Sequence, residues 1–315
     1  LRLFAVDGTI FQCQDTTELV EHFTAIKHRR DRAMEYPAAR LCALTSLRSR
    51  LIYDVAFGPS DVGENNYAKR LIPSIPNQSL TIFDRCYLSA ELLVNWQRAH
   101  LDSHWMVPIK RNTRYEVIHT LGENDFIVEM KVSPQARKLD PTLPETWQAR
   151  LVGYPDSKNE HYIKGVLCSL QDSKLYSAKQ ILAVYFERWE IENSYGEIKH
   201  RMLADHILLR SQLKSGVYQE IWGILIAYNL VRVEISQIAK EAKVSPLRIS
   251  FMMALRDIQA EISWFSLASP GTIPNKIKAM REQVKRYILP AKRKRPKSRS
   301  VRISKTRYPI QRKNA

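Results

Sequence analysis

Four polar residues with helical spacing place the strongest constraint on how this chain can fold. Tyr185, Arg188, Glu192 and Lys199 lie in the segment AVYFERWEIENSYGEIKHRM. On a regular helix that advances about 100° per residue, they fall on one stripe roughly 60° wide. The apolar residues share the neighbouring stripe: Val184, Ile191, Tyr195, Ile198 and Met202. The pattern therefore predicts a helix that packs on a core and holds a polar stripe at the rim of a cleft.

A carboxylate among cations at a cleft is typical of metal-assisted phosphoryl transfer on DNA. The alternative is a solvated helix face with ion pairs along the helix. For this polar stripe alone, both interpretations stay open.

Charge favours a polyanionic partner. The 315 residues carry a net charge of +17, which indicates nucleic acid or an anionic membrane surface. Residues 291–315 hold eleven Lys or Arg and no acid, so we expect a disordered tail that binds phosphates without reading sequence. No apolar run approaches the roughly 20 residues of a membrane span, and 221–230 is predicted to be a buried helix. We therefore expect no membrane partner.

Four cysteines without metal-binding spacing indicate reduced, mostly buried thiols in a cytoplasmic protein. They are Cys13, Cys42, Cys86 and Cys168.

Hydrophobic patterning predicts an α/β fold, with a mixed sheet flanked by helices and interrupted by a β-rich insert. The predicted strands are 3–11, 39–47, 51–59 and 79–85, and the predicted helices are 62–72, 90–100 and 213–242. Further helices are predicted over 246–288, interrupted at Ser269-Pro270-Gly271. Residues 12–35 are expected to be irregular. Between 104 and 170, five strand-like runs are separated by turn residues.

Two further acids could meet Glu192. Asp7 interrupts the apolar strand FAVDGTI, where a charge is costly without a partner. Asp84 ends the apolar strand TIFD. If the two strands are neighbours in one sheet, both acids reach one edge of the cleft. Each could instead be a turn or capping residue, and Asp54 in LIYDVAF remains a competitor.

These motifs together resemble the IS-four group of bacterial insertion-sequence transposases. The resemblance rests on Asp7-Gly8-Thr9, on Asp84-Arg85 and on the spacing of Tyr185, Arg188, Glu192 and Lys199, and it extends over nearly the whole chain. It implies a DDE triad on a ribonuclease-H-like fold. The expected division is a catalytic core at 1–103 and 171–242, a β-rich insert at 104–170, C-terminal helices at 243–290 and a basic tail at 291–315.

The resemblance also implies residue roles. Asp7, Asp84 and Glu192 would hold two Mg²⁺ ions, which Mn²⁺ can replace, while Tyr185, Arg188 and Lys199 would contact DNA phosphates. The implied activity is metal-dependent DNA cleavage and strand transfer at insertion-sequence ends, by a cut-and-paste route. The implied partners are element-end and target DNA and a second copy in a synaptic homodimer. The expected location is the bacterial cytoplasm, at the nucleoid.

Two departures from the family pattern keep alternatives open. Cys86 stands where relatives often have Gly, and six residues precede Asp7, so we expect an N-terminally truncated chain. One alternative is a non-catalytic DNA-binding remnant of a transposase. Another is a ribonuclease-H-like nuclease without strand transfer. Trp105 and Trp147 in the insert could stack on a flipped base or belong to the core.

Overall fold

A computed structural model describes residues 1–23, 25–27, 33–155, 163–206 and 208–290. The strands, in chain order, are β1 Arg2–Gln12, β2 Ala25–Lys27, β3 Ala33–Ser46, β4 Ile52–Pro59, β5 Ser79–Phe83, β6 Ser103–Pro108, β7 Glu116–Gly122, β8 Asp125–Lys131, β9 Thr146–Pro155 and β10 Ile163–Cys168. The α-helices are α1 Thr17–His22, α2 Glu64–Arg70, α3 Ala90–Arg98, α4 Pro134–Leu139, α5 Ala178–Tyr185, α6 Trp189–Gly196, α7 Lys214–Glu241, α8 Phe251–Phe265 and α9 Ile273–Lys285. The predicted basic tail at 291–315 lies outside the described residues.

The central sheet has the predicted ribonuclease-H-like arrangement. Strands β1, β3 and β4 form an antiparallel meander, and β5 and β6 continue from β1 as parallel neighbours. The order across the sheet is β4-β3-β1-β5-β6. Parallel β1 and β5 are joined through the meander and α2, so they can be neighbours although 66 residues separate Gln12 from Ser79.

The β-rich insert continues this sheet instead of forming a separate one. All five strand-like runs form strands, β6 to β10. The first of them, β6, is the fifth strand of the central sheet, whereas the sequence analysis placed it in the insert. Strand β10 pairs with β6, and β9, β8 and β7 follow outward. Local alternation of apolar residues reveals strands but not their neighbours, so the pairing of β6 with β5 and β10 was not predicted.

Strand β1 separates two apolar cores because its side chains alternate between faces. Phe4 and Val6 pack on the face covered by α2 and α3. Ala5 and Phe11 pack on the opposite face, with residues of α6, α7 and α8. Helices α2 and α3 therefore cover one face of the sheet at β1, and helices α6, α7 and α8 cover the other.

Helix α7 is long and apolar enough to span a membrane by length and composition alone, a test that a core helix also passes. Its inward residues, including Ile221, Leu225 and Tyr228, are buried in the core. Its outward face exposes Trp222 and Ile226, among others. The buried-helix prediction for 221–230 is thus correct for one face only. The four cysteines are free thiols, and Cys86 alone among them is exposed.

A buried ion-pair cluster fixes the helix that carries Glu192. Arg50, in the turn between β3 and β4, donates to Glu190 and Glu197. Arg232 of α7 also donates to Glu197, and the Tyr228 hydroxyl donates to the same carboxylate at 3.1 Å. Glu197 is 2% exposed. Each charge is compensated, which buried carboxylates and guanidinium groups require.

Glu197→Ala is expected to lower the free energy of unfolding by about 3–5 kcal/mol, because it leaves two buried guanidinium groups without their shared acceptor. Urea denaturation measures the change. Glu187→Ala is the matched control, since Glu187 pairs with the exposed Arg48 and should cost less than about 1 kcal/mol. Equal losses in the two variants would contradict this account.

Candidate active site

The end of β5 brings two aspartates together. Strands β1 and β5 pair in parallel from Arg2 and Ser79 up to Val6 and Phe83. Asp7 follows Val6 on β1, and Asp84 follows Phe83, the last residue of β5. Strand β5 stops there, whereas β1 runs on to Gln12, so β1 is open on this side beyond Asp7. The two strands are thus neighbours in one sheet, which is the condition under which the sequence placed both acids at one edge of the cleft.

The Asp7 carboxyl is half-buried and has an unusual pKa. Burial raises that pKa from its ordinary 3.8 to about 6, and the nearby Glu64 and Asp84 carboxylates add to the increase. The Gly8 amide, which donates to Asp7 Oδ1 at 2.8 Å, and the Arg188 guanidinium oppose it. Asp7 therefore lies in a small region crowded with negative charge.

The predicted helix is present as one continuous helical segment over 178–202, but its winding changes along that segment. Helix α5 ends at Tyr185, a 3-10 turn covers Phe186–Arg188, α6 follows, and a π-helical segment covers Glu197–Met202. The π-helical segment begins at Glu197, the residue that Arg50 and Arg232 hold. Tertiary contacts, which periodicity does not reveal, thus accompany the change of helix type. The predicted apolar stripe does pack on the core.

Arg188 links the acids. Its Nη2 donates to Glu192 Oε1 at 2.8 Å. Although burial opposes its charge, Asp84 and Glu192 together raise the pKa of the Arg188 guanidinium, and Arg188 in turn lowers the pKa of Asp7. The guanidinium therefore lies among the three acids of the predicted triad.

Two other side chains attach this segment to β1. The Tyr195 hydroxyl donates to the Asp7 carbonyl at 2.7 Å. Lys199 Nζ donates to the Ile10 carbonyl at 2.7 Å and lies 5.3 Å from the centre of the Phe11 ring. Burial lowers the pKa of Lys199. Lys199 therefore contacts β1, whereas Glu192 contacts Arg188 of its own segment.

The remaining candidates lie around this centre. Tyr185 is partly buried, and its ring lies 5.7 Å from that of Phe186. Asp54 is not part of the site, because it pairs with Leu44 of β3, whose other neighbour is Val6 of β1. Its carboxylate accepts from the following amide at 2.8 Å.

Sequence reasoning missed Glu64, the first residue of α2. Its carboxylate accepts from Arg40 Nη1 at 2.7 Å. It is also close enough to Asp7 to raise the pKa of Asp7. An acid in the first turn of a helix ordinarily interacts with the helix dipole, so nothing in the local pattern distinguished it. Only the fold brings it to Gly8.

A groove of about 730 Å³ lies between the insert and the start of α3, where Leu88, Ser89 and Ala90 line it. Cationic and aromatic side chains on its wall include Lys110, Arg114, Tyr115, Lys131 and Trp147. Trp105 is fully buried and donates to Gln97 Oε1, so it belongs to the core. Trp147 is 9% exposed and packs on Trp105.

The acids suit a hard divalent cation, since Asp7, Asp84 and Glu192 offer only oxygen ligands. In the described part of the chain, no three acidic, His or Cys side chains converge closely enough to hold an ion as they stand. Glu192 instead contacts Arg188. The three acids fit a cation if Glu192 releases Arg188 and binds the cation instead.

Residues 1–230 match the transposase DDE domain family. This chain belongs to that family. It is a DNA transposase of the DDE class, whose chemistry is DNA cleavage and strand transfer and whose domains generally use divalent metal ions. The transposase resemblance drawn from the sequence is confirmed.

Two sequence relatives support the assignment. The transposase is 34% identical over 310 residues to transposase InsG for insertion sequence element IS4 of Escherichia coli strain K12, covering 98% of this chain and 69% of the relative. It is 32% identical over 118 residues to the putative transposase InsZ of the same strain, covering 38% of this chain and 40% of the relative. Among solved structures, it is similar to a piggyBac transposase synaptic complex with hairpin DNA, with a TM-score of 0.48, 10% identity, and coverage of 95% of this chain and 59% of that one.

Asp7→Asn should stabilise the metal-free transposase at neutral pH. Because the folded-state pKa of Asp7 is about 6 and its ordinary value is 3.8, its favourable contribution to folding is complete below about pH 3.8 and lost as the pH rises through 6. At pH 7 the free energy of unfolding of the variant should therefore exceed that of the wild type by about 1–3 kcal/mol. Near pH 4 the two free energies of unfolding should be equal. Urea denaturation in EDTA across this range measures it, and a pH-independent difference would contradict the assigned pKa.

Proposed function

We propose that this transposase cuts and joins DNA at the ends of an insertion sequence, with Asp7, Asp84 and Glu192 as ligands of two Mg²⁺ ions. The observation that carries the proposal is the parallel register that sets Asp7 beside Asp84. Arg188 and Tyr195 bring the Glu192 segment to the same place. Mn²⁺ is expected to replace Mg²⁺ at these oxygen ligands.

The protein contributes mainly by positioning charged groups. Strand pairing fixes the backbone of Asp7 and the start of the turn at Asp84. Asp7, Asp84 and Glu192 would hold the cations, and such cations would supply activation of the attacking oxygen and charge stabilisation at the leaving oxygen. If Glu192 turns to a cation, the Arg188 guanidinium becomes available to donate to a DNA phosphate. Tyr185 and Lys199 are proposed as further phosphate contacts on the same segment.

The DNA substrate would extend from the acids into the groove beside the insert. Lys110, Arg114 and Lys131 supply cations there, and Tyr115 and Trp147 supply aromatic faces. We propose that the enzyme acts as a synaptic homodimer, because transposition requires two element ends to be held together. The proposed location is the bacterial cytoplasm, at the nucleoid.

Glu192→Gln should abolish cleavage of a labelled element-end duplex in Mg²⁺ or Mn²⁺, because it removes a ligand charge but keeps the side-chain size. Loss of an outer-shell partner costs about 10–100-fold, so loss of a direct ligand should exceed about 100-fold. Glu187→Gln is the control, because Glu187 precedes it on the same segment and pairs with the exposed Arg48.

Cleavage by Glu192→Gln at the wild-type rate would overturn the proposed triad. Failure of the wild type to cleave, with DNA binding retained, would instead favour the non-catalytic DNA-binding remnant. Cleavage without joining to a target duplex would favour the simple nuclease.

Replacing residues 291–315 by a neutral Gly-Ser tail of equal length should reduce the salt dependence of DNA binding. The native segment holds eleven cations and no acid, and each phosphate contact contributes about −0.9 to the slope of log K against log salt concentration. Fluorescence anisotropy at several salt concentrations measures the slope. An unchanged slope would exclude the tail as a major phosphate-binding element.

A further inference from the structure

Glu64 contacts two strands of the sheet, β3 and β1, and the 3-10 turn that follows β5. Arg40 of β3 donates to its Oε1 at 2.7 Å, and Cys86 Sγ donates to its Oε2 at 3.6 Å. On β1, the carboxylate lies directly against Gly8, where a Cβ atom would be 2.7 Å from Glu64 Cδ and 2.9 Å from Oε1. Both oxygens are therefore engaged while the carboxyl carbon faces the β1 backbone.

These contacts adjoin the two aspartates. Gly8 immediately follows Asp7, and Cys86 comes two residues after Asp84. We propose that Glu64 is a positioning residue of the transposase site, which holds the backbone after Asp7 and the turn after Asp84 in fixed relation. The inference rests on the proposed function of Asp7 and Asp84 as cation ligands.

Gly8 gives independent support for this role. Glycine inside a strand weakens it and often marks a close approach of another group. Gly8 does not need glycine for its backbone angles, because no described glycine has a positive φ. The space above it is instead filled by the Glu64 carboxylate. Since Arg40 and Cys86 hold that carboxylate, it cannot move aside without losing a partner.

Glu64 and the segment that carries Glu192 approach β1 from opposite faces of the sheet. Helix α2 covers the face of β1 that carries Val6, and α6 covers the face that carries Ala5. Glu64 therefore supports the Asp7 backbone from one side of the sheet while Tyr195 holds the Asp7 carbonyl from the other. Removing the support should misplace Asp7 relative to Asp84 and so weaken cation binding.

A double-mutant cycle between Gly8→Ala and Glu64→Ala tests the proposal. Mn²⁺ binding is measured in the absence of DNA by the electron paramagnetic resonance signal of free Mn²⁺, together with Tm. Each single variant should bind Mn²⁺ about 10–100-fold more weakly, as loss of a supporting residue does. In the Glu64→Ala background, Gly8→Ala should add less than about threefold, because the clash is gone and the two changes are coupled.

Two further variants separate positioning from folding. Glu64→Gln keeps an oxygen acceptor for Arg40 but loses the acceptor for Cys86, so it should fold and bind Mn²⁺ with intermediate affinity. Glu91→Ala is the matched control, because Glu91 pairs with Lys69 of α2 at 2.6 Å without contacting the site; it should leave Mn²⁺ affinity unchanged.

Unchanged Mn²⁺ affinity in Glu64→Ala and Glu64→Gln, or fully independent effects of the two single changes, would overturn the positioning role. Glu192→Gln distinguishes this failure from that of the proposed function. If Glu192→Gln weakens Mn²⁺ binding and the Glu64 variants do not, only the role of Glu64 is wrong. If Glu192→Gln also has no effect, the cation site itself is wrong.

Discussion

The position of the candidate active site depends on one buried carboxylate, Glu197. Arg50 reaches it from the turn between β3 and β4, and Arg232 reaches it from α7. The cluster therefore connects the edge of the meander, the Glu192 segment and the longest helix. Such a cluster adds less stability than an apolar core of equal volume, but its loss on one side is costly because a buried charge stays unpaired. Its value here is a defined position for the Glu192 segment.

Strand register supplies the other half of the site. Hydrogen bonding between β1 and β5 sets Asp7 beside Asp84. Arg188 joins the two halves, because it donates to Glu192 and interacts electrostatically with Asp84. The metal-free protein thus compensates its crowded acids with an internal cation. A divalent ion would take over that role, which connects cation binding to the availability of Arg188 for DNA.

Much of the fold followed from sequence, because apolar alternation and turn residues are local signals. These signals predicted strands β1 and β5, helices α2 and α3, and the five strands from β6 to β10. They also marked Asp7 and Asp84, since a charge in an apolar strand is unusual. Long-range contacts were not predictable in this way. The π-helical segment at Glu197, the pairing of β10 with β6 and the approach of Glu64 to Gly8 each depend on residues distant in the chain.

The central claim is that Asp7, Asp84 and Glu192 form one cation site where β5 ends. Anomalous diffraction from crystals of the protein soaked in Mn²⁺ tests it most directly. The account predicts anomalous peaks between Asp7 and Asp84, with Glu192 released from Arg188 and turned toward the ions. Peaks elsewhere on the protein, or Mn²⁺ bound with the Arg188–Glu192 pair intact, would contradict it.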